Sequence, residues 1–189
     1  HGECLGDRGF WTKMVMYEEA ASIPLIMSGP NISPHKESAP VSLIDLYPTI
    51  LDIAGLERVS GEAIHARSLF ETLKQPNKDR LILSEFHDYG AQTGMFMLRH
   101  ANWKLIHYPG FKPQLFNLEN DPGEEENLAK ESEYALKIEE LSNLLKVILD
   151  PDEVNNLAFL DQEDMISKLG GREEILAMQN YDHTPVNEV

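Results

Sequence analysis

The fold of this chain is decided by residues 95–118, which read MFMLRHANWKLIHYPGFKPQLFNL. Three apolar runs in this stretch, 95–99, 103–108 and 114–118, are separated by short turns, and a similar run, 81–86, precedes them. Closely spaced apolar runs joined by short turns are typical of antiparallel strands. We therefore predict a small antiparallel sheet.

A long amphipathic helix is predicted directly after the sheet, over residues 131–149. Its apolar side chains recur at steps of three and four, which places them on one helical face: Tyr134, Ile138, Leu141, Leu145 and Ile148. This stripe needs an apolar partner, and we expect the small sheet to be that partner. Two further helices are predicted, one from Pro151 toward Lys168 and one over 172–178, with Gly170-Gly171 between them.

Residues 1–80 have a different pattern. The apolar run 23–27 contains β-branched residues and predicts a buried strand. Residues 41–56 then predict a turn followed by a helix, with Asp45 near its start and Gly55 at its end. A strand, a loop and an amphipathic helix in this order are typical of an α/β sheet protein.

The predicted fold class is therefore α/β, in three parts. Residues 1–80 form the end of a large mixed-sheet α/β domain. Residues 81–150 form a small antiparallel sheet packed on a long helix. Residues 151–189 form a helical C-terminal extension and tail.

Composition restricts the partners of the chain. Its 189 residues carry a formal net charge of −16, and most of this excess lies after residue 100. Such a charge repels nucleic acid phosphates and anionic membranes, so we expect neither as a partner. No apolar stretch approaches the roughly 20 residues needed to span a bilayer. With Cys4 as the single cysteine, no internal disulfide forms, and a packed thiol in a loop is expected.

The opening residues, 1–14, read HGECLGDRGFWTKM and carry the most specific motif. They resemble the sulfatase segment in which Asp-His-Gly precedes Glu, Leu-Gly-Asp, and then Gly, a hydrophobic residue, Trp and Lys. In that family the Asp and His ligate a divalent cation, usually calcium, and the Lys contacts the sulfate. The resemblance implies that His1 is a metal ligand and that Lys13 is a catalytic residue that binds substrate. The alternatives are a frayed terminal histidine and an ordinary surface lysine.

Further segments resemble the same family in the same order along the chain. They are IPLI at 23–26, VSLIDLYPTILDIAG at 41–55, QLFNLENDPGE at 114–124 and NLA at 127–129. The endings GGRE at 170–173 and TPV at 184–186 are similar to those of the choline-sulfatase and arylsulfatase-like branch. The chain is therefore identified as the C-terminal portion of a sulfatase of the alkaline phosphatase superfamily.

The family nucleophile is not found in this sequence. Sulfatases convert the first residue of a Cys/Ser-x-Pro-x-Arg motif into formylglycine. Neither Cys4 nor Ser28 starts such a motif, because Cys4 has no Pro two residues later and Ser28 has no following Arg. The resemblance implies that the chain begins inside the metal-site motif, that formylglycine belongs to a missing N-terminal part of the same protein, and that this fragment alone is inactive.

One more histidine is a candidate for substrate binding. His87 follows the predicted strand 81–86, in a segment that related enzymes present toward the substrate pocket. The alternative is a loop histidine with no role in binding.

Three functions are compatible with the sequence. The first is hydrolysis of a small-molecule sulfate ester by the intact protein, with a divalent cation, calcium being the expected one. The second is a phosphonate monoester or phosphodiester hydrolase of the same superfamily. The third is a non-catalytic structural or oligomerisation module, in which the acidic helical end mediates assembly. A homo-oligomer is expected.

Overall fold

The computed structural model describes residues 2–30, 32–58, 65–87 and 91–177. Within them lie six α-helices and four strands. In chain order these are α1 (Glu18–Ala21), α2 (Leu46–Ala54), α3 (Leu69–Lys74), β1 (Ile82–Phe86), β2 (Met95–His100), β3 (Trp103–His107), β4 (Gln114–Asn117), α4 (Ala135–Ile148), α5 (Pro151–Lys168) and α6 (Arg172–Ala177).

The four strands form one antiparallel sheet in the order β1-β2-β3-β4. Leu98 lies opposite Leu83 on one side and opposite Leu105 on the other, and Leu105 lies opposite Leu115. The turn between β2 and β3 is tight enough that Ala101 adopts a φ of 51°. The predicted sheet is confirmed.

One face of the sheet packs against α4. The buried side chains of this core are Phe96, Leu98, Leu105, Leu115, Leu141 and Leu145. Tyr134, Ile138 and Ile148 pack around them, so the predicted helical stripe and its partner are both confirmed. Successive strand residues point to opposite faces, which is why every second residue of β2 and β3 joins this core.

The other face of the sheet is covered by the segment around α1. Met97, Ile106 and Phe116 form a second buried cluster with Met16. The ring of Tyr17 meets that of Phe116 edge to face, with 6.0 Å between centroids. The sheet is therefore apolar on both faces, and its second face holds the residues that follow the opening motif.

Helix α5 begins at a well-formed cap and is tied to the start of β2. Asp150 accepts hydrogen bonds from the backbone N–H groups of Asp152 (2.9 Å) and Glu153 (3.2 Å), and Pro151 occupies the first turn. Asn155 Oδ1 accepts a hydrogen bond from Gly94 N at 2.7 Å. The predicted helix over this range is confirmed.

The strand predicted at 23–27 is wrong. No strand lies among the described residues before β1, and Ile26 is 89% exposed. A strand exists only when a neighbouring strand pairs with its backbone, and an apolar run cannot supply that neighbour. The helix predicted over 41–56 is confirmed as a short 3₁₀ turn, Leu43–Asp45, followed by α2.

The α/β class is confirmed, while the three-part division of the chain stays a prediction. Among the described residues, no helix combines the length and apolar character required to cross a membrane.

Candidate functional site

The opening loop closes on itself through backbone hydrogen bonds. Gly6 N donates to Phe10 O at 2.8 Å, and Cys4 N donates to Thr12 O at 3.3 Å. The turn between Gly6 and Phe10 has positive φ at Gly6 (102°) and at Arg8 (57°). These bonds make the loop a compact unit that leads directly to Lys13.

The glycine that follows His1 is required by close packing. Gly2 N donates to Ala20 O at 2.9 Å, and a Cβ on Gly2 would lie 1.9 Å from Glu19 O. Any side chain at this position would therefore push the loop away from α1. Gly2 therefore allows the backbone of the loop to contact α1 directly.

Lys13 is exposed and lines a broad cleft. The cleft has a volume of about 710 Å³ and lies between the loop, residues 37–46, β1 and β2. Among the residues that the structure describes, no ion pair or side-chain hydrogen bond engages Lys13. Its ammonium is available to an anionic ligand.

A buried ion pair lies beside this loop, on the sheet. Lys104 of β3 is fully buried, and its Nζ lies 2.8 Å from Glu18 Oε1 and 2.8 Å from Glu124 Oε1. Glu124 is 1% exposed, and its Oε2 accepts a hydrogen bond from Glu18 N at 2.7 Å. Burial raises the pKa of the Glu124 carboxyl above its ordinary value, and the adjacent ammonium of Lys104 opposes this rise.

Arg8 joins the same cluster from the loop. Its guanidinium donates to the carbonyl oxygens of Gly123 and Glu124, the latter at 2.8 Å. It also lies over the ring of Tyr17, 4.4 Å from the centroid, and 3.8 Å from Glu19 Oε1. Arg8 therefore bridges the loop and the turn that contains Glu124.

His87 lies on the α4 side of the sheet. Its ring meets that of Phe96 edge to face, with centroids 5.1 Å apart, and Phe96 belongs to the core under α4. His87 Nε2 is 3.3 Å from Glu85 Oε2, and Gln162 of α5 donates to the His87 carbonyl at 3.0 Å. The ring borders a cavity of about 10 Å³, which is the size of one water molecule.

The structure does not bring His87 and Lys13 to the same cavity. The cleft at Lys13 is lined by Met97, whose side chain is on the opposite sheet face from Phe96. Substrate binding by His87 stays a prediction: its ring borders the small cavity on the α4 side, while Glu85, which it contacts at 3.3 Å, also lines the cleft at Lys13.

The metal site predicted from the sequence depends on His1, which lies outside the described residues. Within residues 2–30, 32–58, 65–87 and 91–177, no group of three His, Cys, Asp or Glu side chains is placed to hold a metal ion. The described residues therefore do not fit a complete cation site by themselves.

Cys4 is a packed residue, as predicted. It is 1% exposed, and burial followed by the nearby carboxylate of Glu19 raises the pKa of its thiol above the ordinary value. A thiol with a raised pKa is a poor nucleophile at neutral pH.

The cluster of Arg8, Glu18, Lys104 and Glu124 was not predicted from the sequence. One signal was present: Lys104 stands between Trp103 and Leu105 in a strand whose two faces are both apolar. A cation within such a strand is buried and needs an anionic partner. The partners could not be identified, because Glu18 lies 86 positions before Lys104 and Glu124 lies in the turn beyond the next strand.

The chain is similar to known proteins in sequence and in fold. The family model described as N-sulphoglucosamine sulphohydrolase, C-terminal, matches residues 6–150. The chain is 37% identical to arylsulfatase K of Homo sapiens over 185 residues, covering 89% of this chain and 34% of that protein. The chain thus spans about a third of the length of the curated relatives it matches.

Two solved structures are similar as well. A 2-O GAG sulfatase superposes with a TM-score of 0.67 and 31% identity, covering 78% of this chain and 34% of that one. A protein in complex with its substrate D-glucosamine-2-N,6-O-disulfate superposes with a TM-score of 0.63 and 31% identity, covering 79% of this chain and 33% of the other.

Proposed function

This chain belongs to the N-sulphoglucosamine sulphohydrolase C-terminal family, and we propose that the complete protein is a sulfuric ester hydrolase that cleaves sulfate esters. The resemblance to the C-terminal portion of a sulfatase, predicted from the sequence, is confirmed. The observation that carries the proposal is the extent of the family match. It includes both the loop with Lys13 and the whole antiparallel sheet.

Lys13 is the residue of this chain to which we assign direct contact with substrate. Its exposed ammonium borders a cleft and has no ion-pair partner among the described residues. When a sulfate ester breaks, negative charge grows on the leaving oxygen and the sulfuryl oxygens. A fixed cation beside those oxygens stabilises the transition state more than the ground state.

Family membership suggests a divalent cation and a formylglycine nucleophile. We propose calcium as the cation and His1 as one of its ligands. When bound, the cation supplies positive charge that polarises the ester. The described residues do not complete a cation site, so the remaining ligands and the nucleophile are assigned to the part of the relatives' length that this chain does not span.

The ester is proposed to sit on a sugar. The two similar structures are described as a GAG sulfatase and as a complex with a disulfated glucosamine, and both exceed 30% identity with this chain. The names of these relatives favour a sulfate ester over a phosphonate or phosphodiester. Homo-oligomerisation stays a prediction.

A rate comparison on the complete protein tests this function. Its kcat/KM should be measured with a sulfated glucosamine, with an aryl sulfate and with an aryl phosphonate. We expect the sulfate esters to exceed the phosphonate by at least about tenfold. Faster phosphonate cleavage would favour the phosphonate hydrolase. Lack of turnover in protein whose formylglycine is verified by mass spectrometry would favour the non-catalytic module.

A further inference from the structure

We infer that Arg8, Lys104 and Glu124 are positioning residues for Lys13, because they hold both ends of the segment that carries it, residues 8–18, against the sheet and the turn that contains Glu124. This inference rests on the proposed function insofar as Lys13 contacts the sulfate ester. The fastening itself is a property of the described residues alone.

Both ends of this segment form hydrogen bonds with one residue, Glu124. On the upstream side, Arg8 Nη1 donates to Glu124 O at 2.8 Å. On the downstream side, Glu18 N donates to Glu124 Oε2 at 2.7 Å. Lys13 lies midway between Arg8 and Glu18 in the sequence. A shift of Glu124 would therefore move both ends of the segment that carries the ammonium.

Lys104 holds Glu124 in place from inside the sheet. Its Nζ lies 2.8 Å from both Glu124 Oε1 and Glu18 Oε1, and its side chain has no exposed surface. The contact with Glu18 is a charged hydrogen bond, and the contact with Glu124 is an ion pair at the same distance in a site shielded from water. The Glu124 carboxylate is thus fixed relative to β3, one of the central strands of the sheet.

Stability alone does not explain this arrangement. Replacing a buried ion pair with apolar residues of similar volume is often neutral or stabilising. Glu124 also adopts a φ of 52°, a left-handed conformation that is uncommon for a residue other than Gly, Asn or Asp. The ion pair of Lys104 and Glu124 therefore adds little stability, and Glu124 has an unfavourable backbone conformation. Because Glu124 also binds Arg8 and Glu18, the arrangement is better explained as fixing the position of residues 8–18.

Hydrogen bonds within the loop couple the position of Arg8 to that of Lys13. The bonds from Gly6 N to Phe10 O and from Cys4 N to Thr12 O link its two sides. Displacement of Arg8 therefore displaces the residues that lead to Lys13. Misplacing a catalytic group by about 1 Å can cost up to roughly a hundredfold in rate.

A double-mutant cycle in the complete protein tests the inference through activity. Arg8→Gln should lower kcat about tenfold and leave KM within about threefold, because Lys13 remains present but misplaced. Combining Arg8→Gln with Lys13→Ala should give no more than about a threefold loss beyond Lys13→Ala alone. Fully additive losses would overturn the inference, since Arg8 would then act independently of Lys13. Arg172→Gln, on exposed α6, is the matched control and should retain the wild-type kcat.

Hydrogen exchange tests the same inference without activity. In Arg8→Gln and in Glu124→Gln, the amides of Cys4, Gly6 and Phe10 should exchange at least about fivefold faster, while those of β2 and β3 stay within about twofold. Unchanged loop exchange would overturn the inference. So would an equal rise in the sheet, which would indicate general destabilisation. If the wild-type protein hydrolyses no sulfate ester, the proposed function fails while this measurement still decides whether the loop is fastened.

Discussion

Two regions of this molecule bury their apolar side chains to very different extents. In the sheet and α4, residues 82–148, Phe96 and Leu105 have no exposed surface. In the amino-terminal segment, residues 2–58, Ile26 is 89% exposed and Ile53 is 69% exposed. The difference shows that an apolar pattern is stabilising only where the fold supplies a complementary surface. The sheet and α4 supply that surface to each other, whereas the amino-terminal segment contributes the loop that leads to Lys13.

A substitution in the core between β3 and α4 tests this difference in burial most directly. Leu105→Ala should lower the free energy of unfolding by roughly 2–5 kcal/mol, because it leaves a cavity between β3 and α4. Ile53→Ala, on the exposed face of α2, should change it by no more than about 0.5 kcal/mol. Urea unfolding of both variants measures the contrast. Similar losses in the two would show that the exposed apolar residues of the amino-terminal segment are packed in solution.

The chemistry assigned to the amino-terminal segment can be removed without touching the core. In the complete protein, Lys13→Ala should reduce kcat/KM about a hundredfold, or about 2.7 kcal/mol of transition-state stabilisation. Its unfolding midpoint should match the wild type, because Lys13 makes no ion pair in the described structure. Lys36→Ala, another exposed lysine of this segment, is the control. A rate within about twofold of wild type would end the assignment of Lys13.

The amino-terminal segment has its own anchor, and that anchor depends on pH. Asp45 has no exposed surface and receives two hydrogen bonds from Arg80, both 2.6 Å long. Burial alone would raise the pKa of Asp45. The hydrogen bonds from Arg80 and from the backbone N–H groups of Arg67 and Ser42 outweigh it and hold the pKa below the ordinary value.

A lowered folded-state pKa makes this contribution sensitive to acid. The stabilisation is fully present above the ordinary pKa of about 3.9 and is lost as the pH falls through the lower folded value. Asp45→Asn should cost about 1–3 kcal/mol at pH 7 and should flatten the decline of stability as the pH falls below about 4. Asp52→Asn, exposed on α2, should follow the wild-type curve. Thermal unfolding across this range distinguishes them, and parallel curves for Asp45→Asn would contradict the role of the anchor.

Substitutions in α5, the helix that follows α4, should change stability least. Asp150→Ala removes the cap of α5 and should cost about 1 kcal/mol. Disrupting the exposed pair of Lys168 and Asp164 with Asp164→Ala should cost less than about 0.5 kcal/mol. Thermal unfolding measures both. A larger loss for Asp164→Ala would mean that the end of α5, not its start, is the part that matters for stability.

Local patterns of apolar residues predicted the sheet and α4 well, and the amino-terminal segment only in part. Alternation of side chains marks strands that pair with close neighbours along the chain, and all four strands of the sheet do so. The run at 23–27 has similar composition but no described strand to pair with. Its strand prediction failed for that reason, since pairing depends on residues distant in sequence.

The candidate site divides in the same way. The motif of residues 1–14 made Lys13 a candidate, because the motif is local and its residue types are specific, and the role of Lys13 stays a proposal. The placement of His87 on the α4 face, away from Lys13, required the three-dimensional position of Phe96 and α5. Alternation along β1 puts His87 on the same side as Leu83, but it does not indicate which side of the sheet α4 covers and which side the opening loop covers.

The sequence by itself determined the family, the antiparallel sheet, the helical stripe of α4 and the loop that carries Lys13. Each of these is encoded in residues that are near one another in the chain. Only the tertiary structure decided that Arg8, Glu18, Lys104 and Glu124 meet. Buried charges must find opposite charges wherever the fold brings them, and here the fold joins residues more than 80 positions apart.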